Sequence, residues 1–403
     1  MHTMQSIQGI CCLTVGLVAA SRAEAIDIHA QAHRLPNAES VAFSPSGRLV
    51  GAGFGGGVKP GAERPALGRV IVWETESGRL RRVGDVVGDV VAVGFSTDEK
   101  FIVAGTVYTP GDSVETPGIH VFSIGDDEAF GSRLRDHLFT IAPGPSQAFV
   151  AASRQAVAEL RGLTSLDEPG LATAAVADAG RARLLDCSAD SSTLAAVHEI
   201  GLPIEREARE VGRRIVRDGL TTFAVADRSV VKSIRSELLR DATAVSVSRD
   251  GQLVATGHRD GAIRLWGGEP FGERARLQAA KGHAARPVFS PADDLLAVIT
   301  QPATGIRWNY DDSKPSGFAI RPERRGGLCV VTLHETDSLA ERSRFTFDDG
   351  AFRVIHANRL PAACNPHRLA FSPDGRRLLA GCNGLTLLEL SDGTVVRSYD
   401  IDP

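Results

Sequence analysis

Val41-Ala42-Phe43-Ser44-Pro45-Ser46-Gly47-Arg48-Leu49-Val50-Gly51-Ala52-Gly53 returns, nearly residue for residue, as Leu369-Ala370-Phe371-Ser372-Pro373-Asp374-Gly375-Arg376-Arg377-Leu378-Leu379-Ala380-Gly381 near the other end of a 403-residue chain. An alternating apolar run, a Ser-Pro-x-Gly reversal and a second run of small and β-branched residues spell two strands joined by a tight turn. A lone hairpin cannot bury both its faces, so the unit must stack on copies of itself. Weaker copies fill the middle: Phe95-Ser96 before Thr97-Asp98-Glu99, Ser248-Arg249-Asp250-Gly251, and Phe289-Ser290-Pro291. Two degenerate copies run from Leu138 to Ser153 and from Leu184 to Val197.

A third apolar strand follows each copy, clearest in Arg69 to Glu74, Ile119 to Phe122, Ala262 to Trp266 and Leu385 to Leu390. Most units then show a polar turn and a fourth, more polar strand, as in Arg79 to Val83 and Thr394 to Tyr399. Four antiparallel strands per unit, repeated around a ring, define an all-β fold, the β-propeller. With the N-terminus and the long links set aside, about 310 residues remain, and repeats of roughly 40 to 45 residues give seven four-stranded blades. Six and eight also fit. One domain spanning 26–403 is expected, with the first strands lining a central channel.

These units resemble the WD40 family. The likeness lies in the F-S-P-x-G turn, in Thr256-Gly257-His258-Arg259-Asp260-Gly261 ahead of Ile263-Arg264-Leu265-Trp266, and in Lys281-Gly282-His283 before the next unit. It implies a scaffold in which Phe43, Trp73, Phe95, Trp266, Phe289 and Phe371 pack the blades and Gly375 turns the chain. His283, at the family's Gly-His position, and Asp260, in the turn, correspond to its structural hydrogen-bonding residues. Trp-Asp itself is absent, the pairs being Trp73-Glu74, Trp266-Gly267 and Leu388-Glu389. The fold expectation rests on pattern and turns and survives this departure; a particular partner does not follow from it.

Ile10 to Ala20 is apolar over the length of a signal-peptide core and too short to span a bilayer, and Ala23-Glu24-Ala25 is a small-x-small cleavage site. Residues 1–25 therefore read as a signal peptide, with the mature chain starting at Ile26 in the periplasm or outside a bacterial cell. Against this, no Lys or Arg precedes the apolar core; the rival readings are a mis-assigned start codon, with true initiation elsewhere, or a merely apolar tail. Cys11-Cys12 suggests lipidation, but Ile10 occupies the position of the small residue such a site requires. Ile26 to His33 alternates and is expected to add a strand at the rim beside the final unit; closure end to end through Thr394 to Tyr399 is the other option.

Four cysteines follow the signal, and none has metal or redox C-x-x-C spacing. Cys364 and Cys382 flank one hairpin, where a disulfide would suit an oxidising compartment; a strict register instead leaves them as two half-buried thiols. Cys187 and Cys329 read as small core residues. A formal net charge of −4 gives no general attraction to nucleic acid. The histidines form no zinc-protease spacing, and the glycine-rich Gly51 to Gly57 leads into Val58-Lys59-Pro60 instead of a phosphate-binding helix. Asp311-Asp312 and Asp348-Asp349 are carboxylate pairs of the kind that loops solvate. No catalytic residue, metal or cofactor is assigned.

Length is distributed unevenly between the links. Those joining first to second strands are short throughout, whereas second-to-third links are long at Phe54 to Gly68, Val107 to Pro117, Glu199 to Asp218 and Gln301 to Gly326. Consecutive links of a meander alternate between opposite ends, so all four emerge on one face, where insertions commonly mark binding. Neutral drift into tolerant loops is the alternative. The longest link carries Arg307, Trp308, Tyr310, Phe318, Arg321, Arg324 and Arg325, residue types that dominate interfaces. The reading is a non-catalytic protein-binding or assembly platform. The rivals are an extracytoplasmic propeller enzyme of lactonase or quinoprotein type, disfavoured because the first strands offer few acids, and a cytosolic regulatory propeller.

Overall fold

A computed structural model describes residues 25–28, 38–55, 67–87, 89–96, 98–107, 118–125, 129–133, 138–143, 148–153, 157–162, 172–175, 181–188, 190, 192–201, 216–224, 227, 229–280, 283–302, 309–310, 318–319, 327–349, 368–381 and 385–399. After β1 (Ala25–Ile28), the first sheet holds β2 (Ala38–Phe43), β3 (Leu49–Phe54), β4 (Leu67–Glu74) and β5 (Leu80–Val87). The second holds β6 (Asp89–Phe95), β7 (Phe101–Val107), β8 (Gly118–Ser123) and β9 (Ala129–Arg133). In the third are β10 (Leu138–Pro143), β11 (Ala148–Ser153), β12 (Val157–Gly162) and β13 (Ala172–Ala175). The fourth comprises β14 (Arg181–Cys187), β15 (Thr193–Gly201), β16 (Val216–Ala224) and β17 (Val230–Arg235). The fifth comprises β18 (Ala242–Val247), β19 (Val254–His258), β20 (Ala262–Gly267) and β21 (Gly272–Gln278).

The sixth sheet contains β22 (His283–Phe289), β23 (Leu295–Pro302), β26 (Gly327–Glu335) and β27 (Glu341–Asp349); within its long link, β24 (Asn309–Tyr310) and β25 (Phe318–Ala319) form a separate ribbon. The seventh contains β28 (Leu369–Phe371), β29 (Arg377–Ala380), β30 (Leu385–Glu389) and β31 (Val395–Tyr399). First strands of successive sheets adjoin around the ring, and β28 meets β2 to close it. That places the first strands around the axis and the fourth at the rim.

The recurrent turn has one construction. In six units a serine hydroxyl accepts the amide five residues on: Ser44 from Leu49, Ser96 from Phe101, Ser188 from Thr193, Ser248 from Leu253, Ser290 from Leu295, Ser372 from Arg377. The same hydroxyl donates to an aspartate in the turn wherever one stands: Asp98, Asp190, Asp250, Asp294 or Asp374. In the five of these turns where the residue three after the serine is described, it takes positive φ, which is why Gly47, Gly251 and Gly375 occur there, Gly375 with φ 71°.

Strand alternation fills the spaces between sheets. Along β4, Ile71 and Trp73 face the seventh sheet's Leu385 and Leu387, whereas Val70 and Val72 face the second sheet's Phe95 and Phe122. Both faces of the first sheet are thus buried, and period two is expressed as a choice of neighbour. Phe371, opposite Leu378 in register, packs with Phe345 and Phe347 between the sixth and seventh sheets. Trp73, Phe95, Trp266 and Phe289 are buried, and Phe43 is half-buried against the core between the first and seventh sheets.

Closure corrects one expectation. β1 does lie at the rim, but it pairs in parallel with β27 of the sixth sheet, Ile26 opposite Phe345, and not beside the last unit. The seventh sheet has its own fourth strand in β31, so the ring closes end to end. The junction is made instead by side chains, with the cations on the seventh sheet. Arg368 pairs with Glu39 at 2.6 Å, Arg377 with Glu76 at 2.5 Å, and Arg397 donates to the Glu76 carbonyl. Tyr399 tilts against Trp73 at 5.4 Å between ring centroids and donates its hydroxyl to the Thr75 carbonyl. A second correction concerns sulfur: Cys329 is fully buried on β26 but disulfide-bonded and not a plain core thiol, and its partner lies outside the described residues. Cys187 is free; Cys364 and Cys382 are outside the described residues.

Candidate binding face

Strands β3, β7, β15 and β23 all run toward the same face, and the four long links leave from their ends. The link from β27 to β28, residues 350–367, joins strand ends on that face too and was not among the expected insertions. On the opposite face the widest gap between consecutive described strands of a sheet is 163–171, between β12 and β13.

At the root of the long-link face, the second and third strands carry buried histidine–threonine pairs. Trp266 Nε1 donates to Thr256 Oγ1 at 2.8 Å, and Thr256 Oγ1 lies 3.0 Å from His258 Nε2. With one proton and two acceptor lone pairs, the threonine hydroxyl receives the indole proton and still has a site left to pair with Nε2 of a neutral imidazole in either direction. Burial supplies that state, pulling His258 down to about 4, with the Arg264 charge acting in the same direction. His198 Nε2 meets Thr221 Oγ1 at 2.9 Å, and Thr221 Oγ1 meets Ser233 Oγ at 3.0 Å. A Cβ on Gly219 would stand 2.4 Å from His198 Cε1, so the glycine makes room for the ring. Thr106 and His120 form a longer pair at 3.4 Å in the second sheet.

Asp260 accepts the Ala262 amide at 2.9 Å and holds its own turn, while the histidine bonded to the Thr256–Trp266 pair is His258, on the strand just before it. His283 begins β22, and its side chain lies outside the described residues. The signal for His258 was available in Thr-x-His followed by Trp266, but it was overshadowed by the Gly-His dipeptide downstream.

Among the expected contact residues, Tyr310 and Phe318 are brought together as direct partners in the β24–β25 ribbon. Arg307, Trp308, Arg321, Arg324 and Arg325 lie outside the described residues, as do Asp311 and Asp312. Asp348 and Asp349 end β27 opposite Leu328 and Gly327. Among the described residues, no group of three or more His, Cys, Asp or Glu side chains is set to hold a metal, and no helix is long and apolar enough to cross a membrane.

Ring, four-stranded units and the Ser-turn construction together define a WD40-like β-propeller. The family model described as WD domain, G-beta repeat matches residues 237–267, a stretch that contains Thr256, His258 and Trp266. The fold is similar to the crystal structure of the β-propeller domain of Cps50 (Swd1) from Myceliophteria thermophila, with 12% sequence identity, a TM-score of 0.54, and coverage of 90% of this chain and 96% of that one. No curated protein matches the sequence. At that identity the likeness speaks to fold alone.

Proposed function

We propose that the protein is a non-catalytic platform that binds a protein partner through the long-link face. The observation that carries this reading is the asymmetry of the disc: short first-to-second turns on one face, and on the other the long second-to-third links, one of them bearing a ribbon that pairs Tyr310 with Phe318. Aromatic and arginine side chains on such a loop are the types that concentrate interface energy. An acidic protein surface or anionic glycan suits the four arginines of this link. Export is part of the proposal, supported by the apolar leader and by Cys329 in a disulfide, a bond kept in oxidising compartments.

Affinity capture from periplasmic and membrane fractions tests both halves. Trp308→Ala with Tyr310→Ala is expected to weaken capture at least about tenfold, the scale of a lost interface anchor, while Ser46→Ala on the opposite face leaves it unchanged. Loss of capture from the Ser46 variant with the loop silent would sink the face assignment. A mature N-terminus elsewhere than Ile26 in the exported protein would sink the processing.

A further inference from the structure

Cys329 is disulfide-bonded and fully buried, so its partner must enter the same core. Of the other cysteines, Cys187 is free, and Cys11 and Cys12 belong to the leader that export removes. Cys364 and Cys382 remain, the first in the link ahead of β28 and the second directly after Gly381 at the end of β29. We propose that Cys329 is bonded to Cys382, forming a covalent clamp between the sixth and seventh sheets at the root of the long-link face.

Direction separates the two candidates. Along β26, Cys329, Val331 and Leu333 turn toward the seventh sheet, in one core with Leu369, Leu378 and Ala380. On β29, Leu378 and Ala380 therefore face the sixth sheet, while Leu379 belongs to the core shared with the first. Gly381 keeps the alternation: a Cβ there would stand 2.6 Å from the Ala38 carbonyl oxygen of the first sheet. The next position along the strand returns to the sixth sheet, and that position is Cys382. The hairpin's other strand runs against Cys364. Arg368 turns to Glu39, and Ala370 packs in the core shared with the first sheet. Even-numbered positions entering β28 thus point away from Cys329.

Height along the strands agrees. Cys382 and Thr300 each stand ten residues after the turn serine of their sheet, Ser372 and Ser290. Thr300 is opposite Val330, the residue next to Cys329. The same station is filled in the same way where the next two sheets meet. Phe54, ten residues after Ser44, is buried in one core with Leu385 and Leu387 on the third strand of the seventh sheet. β26 is the corresponding third strand of the sixth sheet, so Cys382 meets it as Phe54 meets β30.

The longest link re-enters its sheet at Gly327, two residues before Cys329, so the clamp fixes the foot of that link. Opening it takes two electrons and two protons from a dithiol reductant, which becomes a cyclic disulfide while Cys329 and Cys382 become thiols. The foot is then held by packing alone. What this means for partner binding rests on the platform reading; the bond itself does not.

Tryptic mapping of the full chain, unreduced and with free thiols blocked, identifies the bond. Cys329, Cys364 and Cys382 fall on separate peptides, 326–342, 360–368 and 378–397. Peptide 326–342 is expected joined to 378–397. Finding it joined to 360–368 or to a leader peptide, or carrying a blocked thiol, would overturn the proposal. No partner enters this measurement, so its outcome is independent of the platform reading. Cys382→Ser should lower the melting temperature by about 5 °C, the scale of a bond closing a loop of about 50 residues in a chain of this size. A dithiol reductant should lower the parent by the same amount and leave Cys382→Ser unchanged, while Cys364→Ser melts and maps like the parent. A Cys364→Ser variant that frees Cys329 would sink the clamp.

Discussion

The two faces of the disc are built on different principles. On the short-turn face one serine construction recurs in six units, and neighbouring turns are tied by a repeated device: Glu99 accepts the Ser46 amide at 2.6 Å, and Asp293 accepts the Arg249 amide at 2.8 Å and the Asp250 amide at 3.3 Å. Glu99 and Asp293 occupy the positive-φ position that glycine takes elsewhere, at 58° and 60°. Backbone strain there accompanies a carboxylate that staples one turn to the previous one. On the long-link face the described units are finished in more than one way: a Trp–Thr–His chain in the fifth, a His–Thr–Ser chain in the fourth, the Arg368–Glu39 pair where the seventh meets the first. Uniformity marks the face that makes the ring. Variety marks the face with room for a specific partner.

That contrast can be attacked at several strengths. Phe371→Ala empties a site between the sixth and seventh sheets and should cost about 3–5 kcal/mol in equilibrium denaturation; stability equal to the parent would remove the blade assignment itself. Thr256→Val keeps the shape but strands the Trp266 indole proton and His258 Nε2, with an expected loss of about 1–3 kcal/mol. If Thr256→Val melts like the parent, the Trp–Thr–His chain of the fifth sheet is decoration.

Glu99 offers a finer discrimination. Glu99→Gly and Glu99→Ala both remove the staple to Ser46, but only alanine retains the cost of positive φ, so it should melt below the glycine variant by about 1 kcal/mol. Equal variants would mean that strain at this position is negligible. The smallest effect belongs to the binding face: Tyr310→Ala, in a ribbon outside the seven stacked sheets, should change stability by less than about 0.5 kcal/mol. A large loss there would make the ribbon part of the scaffold and end its claim to be a contact site.

What the sequence made legible was local. The Ser-Pro-x-Gly reversal, the alternating runs and the inward phenylalanines are each decided within about ten residues, and the strands fall where those patterns put them. Glu99 and Asp293 escaped notice because their partners Ser46 and Arg249 lie in the preceding unit, 53 and 44 residues away along the chain. The parallel pairing of Ala25–Ile28 with Arg344–Phe347 has no turn to announce it, and the alternation that revealed a strand carried no information about which edge it would find. The Cys329 bond was missed for a related reason: spacing along the chain was the only guide to pairing, and it favoured the cysteines flanking a single hairpin.

End-to-end closure has a consequence for chain order. Apart from β1, every sheet draws its strands from one continuous stretch, and the join between last and first is carried by Arg368, Arg377, Arg397 and Tyr399 through side chains alone. The ring is thus indifferent to where its chain begins. A circular permutant opened between β21 and β22, with the old ends linked, would keep every four-stranded unit whole, whereas a ring latched by strand exchange would have to be cut through a sheet.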